Sequence, residues 1–346
     1  YYYDIASNTF TAKANTPVNF GSGANLSYDG TNIFAVRANA SGVPTNSFYK
    51  YTVATNTWSA AANLPVVAGI GANSIVVNSS VYVIVGNADD AFLKYDITST
   101  TWSTMANLPG TGVDGGFLTW DGADYIYSTQ GGTTGFHRYS ISTNTWTTLA
   151  VAPFIWRDGG TIKMVGNYIY GIRGGGSTTT FARYDITANT WSTALAPLPA
   201  AVNDAGSLVY YNGALYTPRG DGTTDFYKYD IAGNIWSTLG PFPSPLANGG
   251  YLLGAMSLCA PPVGVADAIQ ATCTGGVANV NAKLQLTVFD GNTKKVDYSA
   301  GSTYTGAGFA SAVTVSGTAP FSIVGTLANP TAPQPYTIRV FCDAST

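Results

Sequence analysis

Along most of the chain, apolar and polar residues alternate over short stretches cut off by Asn-Gly, Asp-Gly or Gly-rich turns, the pattern of half-buried β-strands. The stretch from Gly159 shows one cycle. Gly159-Gly-Thr-Ile-Lys-Met-Val165 meets a Gly166-Asn167 turn, and Tyr168-Ile-Tyr-Gly-Ile-Arg173 follows. A Gly174-Gly175-Gly176 loop leads into Phe181-Ala-Arg-Tyr-Asp-Ile186, and after the Thr187-Ala-Asn189 turn comes Trp191. Pro197 and Pro199 then interrupt the chain, since proline cannot continue a strand ladder. The pattern predicts four short strands per cycle.

The phrase that closes this cycle, YDITANTW from Tyr184 to Trp191, is repeated along the chain. It recurs as YDIASNTF from Tyr3, YTVATNTW from Tyr51, YDITSTTW from Tyr95, YSISTNTW from Tyr139 and YDIAGNIW from Tyr229. The closing aromatics Phe10, Trp58, Trp102, Trp146, Trp191 and Trp236 are spaced by 48, 44, 44, 45 and 45 residues. Four strands in about 45 residues make one blade of a β-propeller. The first hairpin of the other cycles carries Asp29-Gly30, Asn78-Ser79, Asp121-Gly122 and Asn212-Gly213, residues that accept the positive φ of a tight turn. Inner strands are expected to be crowded around the axis, and they begin with small residues at Gly23, Gly71, Gly115 and Ala205. Within the phrase, the Tyr and Trp are expected to pack between adjacent blades while the Asp and Asn shape the turn.

The Tyr, six intervening residues and Trp, together with the diglycines Gly131-Gly132 and Gly174-Gly175, resemble the kelch family of β-propellers. The resemblance covers residues 1 to about 258. The diglycine is replaced by Ala38-Asn39 and Gly86-Asn87 in the first two units and split as Gly220-Asp221-Gly222 in the fifth. It implies an all-β, six-bladed kelch-like propeller. Five blades are complete, and the sixth is divided between an inner strand at Gly249–Met256 and outer strands at Tyr1–Ile5 and Phe10–Ala12. A Phe stands three residues before the Tyr in five units (Phe48, Phe92, Phe136, Phe181, Phe226). In the divided unit it would precede residue 1. With an opening Tyr1, no Met and no leader, the chain reads as processed or as a fragment.

After a linker at 259–264, residues 265–346 are expected to form a small immunoglobulin-like β-sandwich with strands at Lys283–Phe289, Ala312–Val315, Phe321–Val324 and Tyr336–Phe341. Ala271-Thr-Cys-Thr-Gly-Gly-Val-Ala-Asn279 and Thr303-Tyr-Thr-Gly-Ala307 are similar to the tandem modules of large bacterial cell-surface adhesins. Cys273 and Cys342 are the candidate disulfide, with Cys259 then free, buried or paired elsewhere; all three pairings of the 3 cysteines stay open. Such a bridge fits an exported chain.

Charged residues are only 10% of the chain, its formal net charge is -3, and all 18 acids are Asp. This excludes a basic footprint for nucleic acid or anionic lipid. The absence of Glu suits a chain with almost no helix. No apolar run approaches the roughly 18 residues that a membrane helix needs.

Candidate chemistry gathers where the approach to each inner strand meets the end of the second strand. Ser22, Ile70, Asp114, Asp158, Asp204 and Asn248 are set against Arg37, Val85, Gln130, Arg173 and Arg219, a rim around one mouth of the channel. In one reading Asp158 pairs with Arg173, Asp204 with Arg219, and Gln130 answers Asp114, orienting loops. In the other, Arg37, Asp114, Gln130, Asp158, Arg173, Asp204, Arg219 and Asn248 bind an anionic or hydroxyl-rich ligand, as kelch relatives bind peptides.

Catalytic readings find less. Copper-radical oxidases with a kelch propeller need histidine ligands, and this chain has only His137. Sialidase Asp-boxes have a shorter Asp-to-Trp step. Asp121–Asp124 and Asp221–Asp225 lack the ligand series of a calcium loop and are expected to shape turns. No cofactor, metal or catalytic residue is expected. The sequence thus points to a non-enzymatic, extracellular module that binds a glycan or protein of a cell surface, or neighbouring domains of a larger surface protein. A purely structural spacer and a glycan-acting hydrolase are the alternatives.

Overall fold

The computed structural model describes residues 1–4, 7, 9–111, 116–203 and 206–246, together with the backbone of seven strands between 267 and 343. The chain divides into two compact units, Tyr1–Ala255 and Met256–Thr346. All elements are strands, and among the described residues no helix is long and apolar enough to cross a membrane.

The first unit is a β-propeller, a ring of small antiparallel sheets. A two-stranded sheet comes first, β1 (Tyr2–Asp4) with β2 (Thr9–Thr11). Five four-stranded sheets follow, each meandering from the axis outward. They are β3 to β6 (Asn25–Tyr28, Asn32–Val36, Phe48–Thr52, Thr57–Ala60) and β7 to β10 (Asn73–Val77, Ser80–Ile84, Phe92–Asp96, Thr101–Thr104). Next come β11 to β14 (Leu118–Trp120, Tyr125–Thr129, Phe136–Ser140, Thr145–Thr148) and β15 to β18 (Thr161–Val165, Tyr168–Ile172, Phe181–Asp185, Thr190–Ser192). The last is β19 to β22 (Val209–Tyr211, Ala214–Pro218, Phe226–Asp230, Ile235–Thr238). The expected inner strand at Gly249–Met256 lies outside the described residues.

The repeated phrase joins each sheet to the one before it. Its Tyr and Trp face each other across the third and fourth strands, as Tyr184 opposite Trp191, and both meet the Phe of the preceding sheet. Phe136 lies 4.9 Å from Tyr184 and 5.1 Å from Trp191, both edge-on. Phe48, Phe92 and Phe181 repeat this contact with the next sheet. Edge-to-face pairs of this kind contribute about 0.5–1.5 kcal/mol each beyond the area they bury.

Polar atoms of the same phrase complete a clamp. Asn189, at φ 53°, accepts the Tyr184 hydroxyl at 2.7 Å and the Ala150 N–H of the preceding sheet at 3.0 Å. The Trp191 indole donates to the Ala150 carbonyl at 3.1 Å. One alanine is thereby held at both of its peptide groups. The arrangement recurs at Asn144, Trp146 and Ala106, and again at Asn234, Trp236 and Ala196.

The two-stranded sheet uses the clamp on both sides. Phe226 packs on Tyr3 at 5.0 Å and Phe10 at 6.3 Å, as if they were the next sheet's Tyr and Trp. Ala14, just past β2, donates to Asn56 and accepts from the Trp58 indole. β1 and β2 therefore bridge the last four-stranded sheet to the first.

In the second unit, β23 (Asp267–Cys273), β26 (Thr303–Tyr304), β27 (Val313–Val315) and β28 (Phe321–Leu327) form one antiparallel sheet in the order β23-β28-β27-β26. β24 (Asn281–Phe289), β25 (Thr293–Tyr298) and β29 (Tyr336–Asp343) form another, with β24 in the centre. Cys273 is in register with Phe321 and Cys342 with Ala282, so the two cysteines lie in different sheets. Their side chains and Cys259 lie outside the described residues.

One unit departs from the clamp. Thr100 stands where the other units have Asn, yet it keeps φ 58°, which is unfavourable for a β-branched residue. Thr100→Asn relieves that backbone and supplies an acceptor for Tyr95 and the Ala62 N–H. It is expected to stabilise the propeller by about 1 kcal/mol, read as a rise of about 2–4 °C in a thermal melt.

A second expectation concerns alkali. Burial pushes the Tyr184 and Tyr229 phenols up to about 12, and that of Tyr139 further, from an ordinary 10.0. Folded phenols with raised pKa hold their protons longer than unfolded ones, so stability is full below pH 10 and lost as pH rises through about 12. Tyrosinate absorbance and circular dichroism followed together should show ionisation of these phenols coinciding with unfolding.

Candidate functional site

The loops from second to third strand and those between sheets share one face, and backbone hydrogen bonds fix them there. Each second strand ends immediately before a rim residue: Val36 before Arg37, Thr129 before Gln130, Ile172 before Arg173 and Pro218 before Arg219. Two residues further on, the chain is tied to the approach of its own inner strand. The ties join Ser22 with Asn39, Ile70 with Asn87, Asp158 with Gly175 and Asn203 with Asp221. A further set links these loops to the segment entering the next sheet, at Thr45 with Ala68, Gly132 with Trp156, Gly176 with Val202, and Gly222 with Leu246. The face is a mesh held by main-chain bonds before any ligand arrives.

The tie demands left-handed backbone. Asn87, Gly132, Gly175 and Asp221 take φ of 58°, 76°, 77° and 55°. Asn and Asp tolerate this region through local hydrogen bonding, which explains how the diglycine is relaxed in the second and fifth units. In the first unit neither Ala38 nor Asn39 is left-handed, and Gly21 and Gly23 on the facing segment are instead. The first of the paired glycines meets a stricter demand. Gly174 has φ 78° and packs so tightly on Gly160 N and the Asp158 carbonyl that no Cβ fits.

The structure places the expected rim residues as follows. Arg37 is half-buried and its Nε donates to the Asn19 carbonyl at 2.9 Å. Arg173 is half-buried and donates to Ser177 Oγ at 2.9 Å and Thr178 Oγ1 at 3.3 Å, both in its own loop. Asp158 is exposed, and its Oδ1 accepts the Gly159 N–H. Arg219 pairs with Asp225 at 3.3 Å and Asp221 at 3.6 Å, carboxylates of its own loop. A carboxylate six residues along the loop reaches the guanidinium without crossing to the inner strand. Asp114, Asp204 and Asn248 lie outside the described residues.

Gln130 is held from two sides. Its amide donates to the Thr111 carbonyl at 3.2 Å, and Oε1 lies 3.3 Å from His137 Nε2. Because Oε1 only accepts, His137 carries its proton on Nε2, and Nδ1 accepts from Thr148 Oγ1 at 3.3 Å. Burial lowers the His137 pKa, so the ring is neutral and serves as a strut. Asp121 and Asp124 shape turns: the first accepts the Ala123 and Tyr125 N–H groups, the second those of Ser142 and the Ser140 hydroxyl. Among the described residues no group of three His, Cys or acidic side chains is arranged to hold a metal ion.

Arg157 belongs to the same face and was not among the rim residues expected from spacing. It is exposed, and its backbone N–H bonds the Arg173 carbonyl at 3.1 Å. Among the described residues no carboxylate pairs with Arg37, Arg157 or Arg173, both ion pairs falling on Arg219.

No protein-family model matches the sequence, and no curated protein matches it. The solved structure of YjhT is similar to this chain, with a TM-score of 0.56 and 16% identity over 81% of this chain and 98% of that one. That likeness is one of β-propeller fold.

Gly174→Ala is expected to destabilise the propeller by at least about 1–2 kcal/mol, from the left-handed backbone alone. Arg219→Ala removes only partly exposed ion pairs and should change stability by less than about 1 kcal/mol. Thermal melts of the two variants side by side check the difference.

Proposed function

We propose that this chain is an extracellular, non-enzymatic recognition module, a six-bladed kelch-type propeller followed by an immunoglobulin-like domain. Its ligand is an anionic glycan or protein surface met at the loop face. The observation that carries the reading is the set of three arginines, Arg37, Arg157 and Arg173, on a face preorganised by main-chain bonds, with no ion pair to a carboxylate among the described residues. A guanidinium bonded to a carbonyl or hydroxyl keeps its full charge, and its fork of donors suits carboxylate or sulfate groups. The clamps at Phe226 and Ala14 support a sixth blade completed by residues outside the described ones. His137, committed on both ring nitrogens to structural bonds, supports the non-enzymatic reading.

The test is binding of the purified chain to arrays of neutral and acidic glycans and to cell-surface extracts, beside a variant with Arg37, Arg157 and Arg173 changed to Ala. The expected result is binding that prefers acidic ligands and falls at least about tenfold, or about 1.4 kcal/mol, in the folded variant. Equal binding by both proteins would refute the loop-face assignment. Absence of binding by either would favour a structural spacer.

A further inference from the structure

The axis of the propeller carries a chemistry separate from that of the loop face. Inner strands contribute one side chain per sheet at each level, and one level comprises Ser27, Ile75, Thr119, Lys163 and Val209. Their register partners on the second strands are Phe34, Tyr82, Tyr127, Tyr170 and Tyr216, so aromatic rings back the whole level. The five side chains line one cavity of about 220 Å³.

Several donors in this cavity have no acceptor among the described residues. Lys163 is the one charged residue among its described lining, and its amine has no hydrogen-bond or ion-pair partner among the described residues. The surrounding strands desolvate it and lower its pKa, the mark of a cation without compensation. Ser27 Oγ is buried with no partner. Thr119 Oγ1 accepts the Met164 N–H at 3.0 Å, which leaves its own proton to give. Asn73 Oδ1 accepts the Leu118 N–H at 3.1 Å, which turns the donor end of the amide elsewhere. These groups come from four different sheets and share no acceptor.

The half-buried Lys163 ammonium has no counter-charge among the described residues and the buried Ser27 hydroxyl has no partner, and a negatively charged guest with several acceptors supplies both. A single cation matches a single negative charge. Ile75 and Val209 on the same level suit a carbon body rather than a fully hydrated inorganic ion. We propose that the axial cavity is a binding site for a small organic monocarboxylate, with Lys163 as counter-ion and Ser27, Thr119 and Asn73 as hydrogen-bond donors. It is distinct from the loop face and independent of the arginines there.

The experiment titrates the full chain with lactate and glucuronate and with their uncharged counterparts lactamide and glucose, by calorimetry or ligand-observed NMR. At least one carboxylate is expected to bind at millimolar concentration while its neutral counterpart does not. Lys163→Met, which keeps the side chain's bulk, is expected to weaken that binding at least about tenfold, and Ser27→Ala to weaken it less. Changing Arg37, Arg157 and Arg173 to Ala should leave it unaltered, which separates this site from the loop-face reading. Equal binding of charged and neutral probes, unchanged binding by Lys163→Met, or no binding of either carboxylate would overturn the assignment. Should Lys163→Met not fold, the charge preference of the unaltered chain and the Ser27→Ala titration decide it.

Discussion

A sheet of four short strands has two faces to cover and cannot cover either alone, so everything in the propeller depends on the contact between one sheet and the next. The clamp of Tyr, Asn and Trp on the preceding Phe and Ala solves this with two kinds of interaction at once. The rings exclude water over the broad part of the contact. The amide and indole, bonding the N–H and C=O of one alanine, fix the angle at which the sheets meet. Hydrophobic burial alone would tolerate sliding; two directional bonds to a single residue do not.

Towards the axis a second device takes over. Asn25 Oδ1 accepts both the N–H and the hydroxyl of Ser74 at 2.9 and 2.7 Å, Asn73 accepts the N–H of Leu118, and Thr119 that of Met164. Inner strands have no ladder partner on their axial side, so side chains of one sheet satisfy the free edge of the next. This explains why polar residues are buried at Asn25, Asn73 and Thr119, where a core would otherwise be apolar. Two of the three, Asn73 and Thr119, also line the axial cavity.

The fold was legible in the chain because its signals are periodic. Six copies of one phrase gave the sheets, their order and the Tyr and Trp contacts, and turn residues such as Asp121-Gly122 marked the hairpins. Features that appear in one copy, or that depend on two sheets together, had no such signal. Ala150 looks like any alanine until Trp191 and Asn189 are seen to hold it. Arg157 stands one residue before the position that spacing singled out, and only its bond to the Arg173 carbonyl places it on the loop face. Lys163 reads as an ordinary polar residue of an alternating strand, because its surroundings come from other sheets, distant along the chain. In the second unit, Thr293–Tyr298 was not evident as a strand, since Lys294, Lys295 and Asp297 mask its alternation.

The two-stranded sheet sets an order of assembly. Tyr3 and Phe10 find their partner Phe226 only after more than two hundred further residues have joined the chain, while Ala14 reaches Asn56 and Trp58 almost at once. A chain emerging from its N-terminal side therefore builds the sheets in sequence on one flank of this hairpin and leaves the other flank waiting. Closure is a single long-range event at the end, the kind of contact whose loop entropy slows folding most. Until it occurs, Tyr3 and Phe10 on one side and Phe226 and Phe242 on the other lack the aromatic contacts that they make with each other in the ring. A nascent chain is then most open to chaperones, and to pairing with another copy of itself, just before its ring is complete.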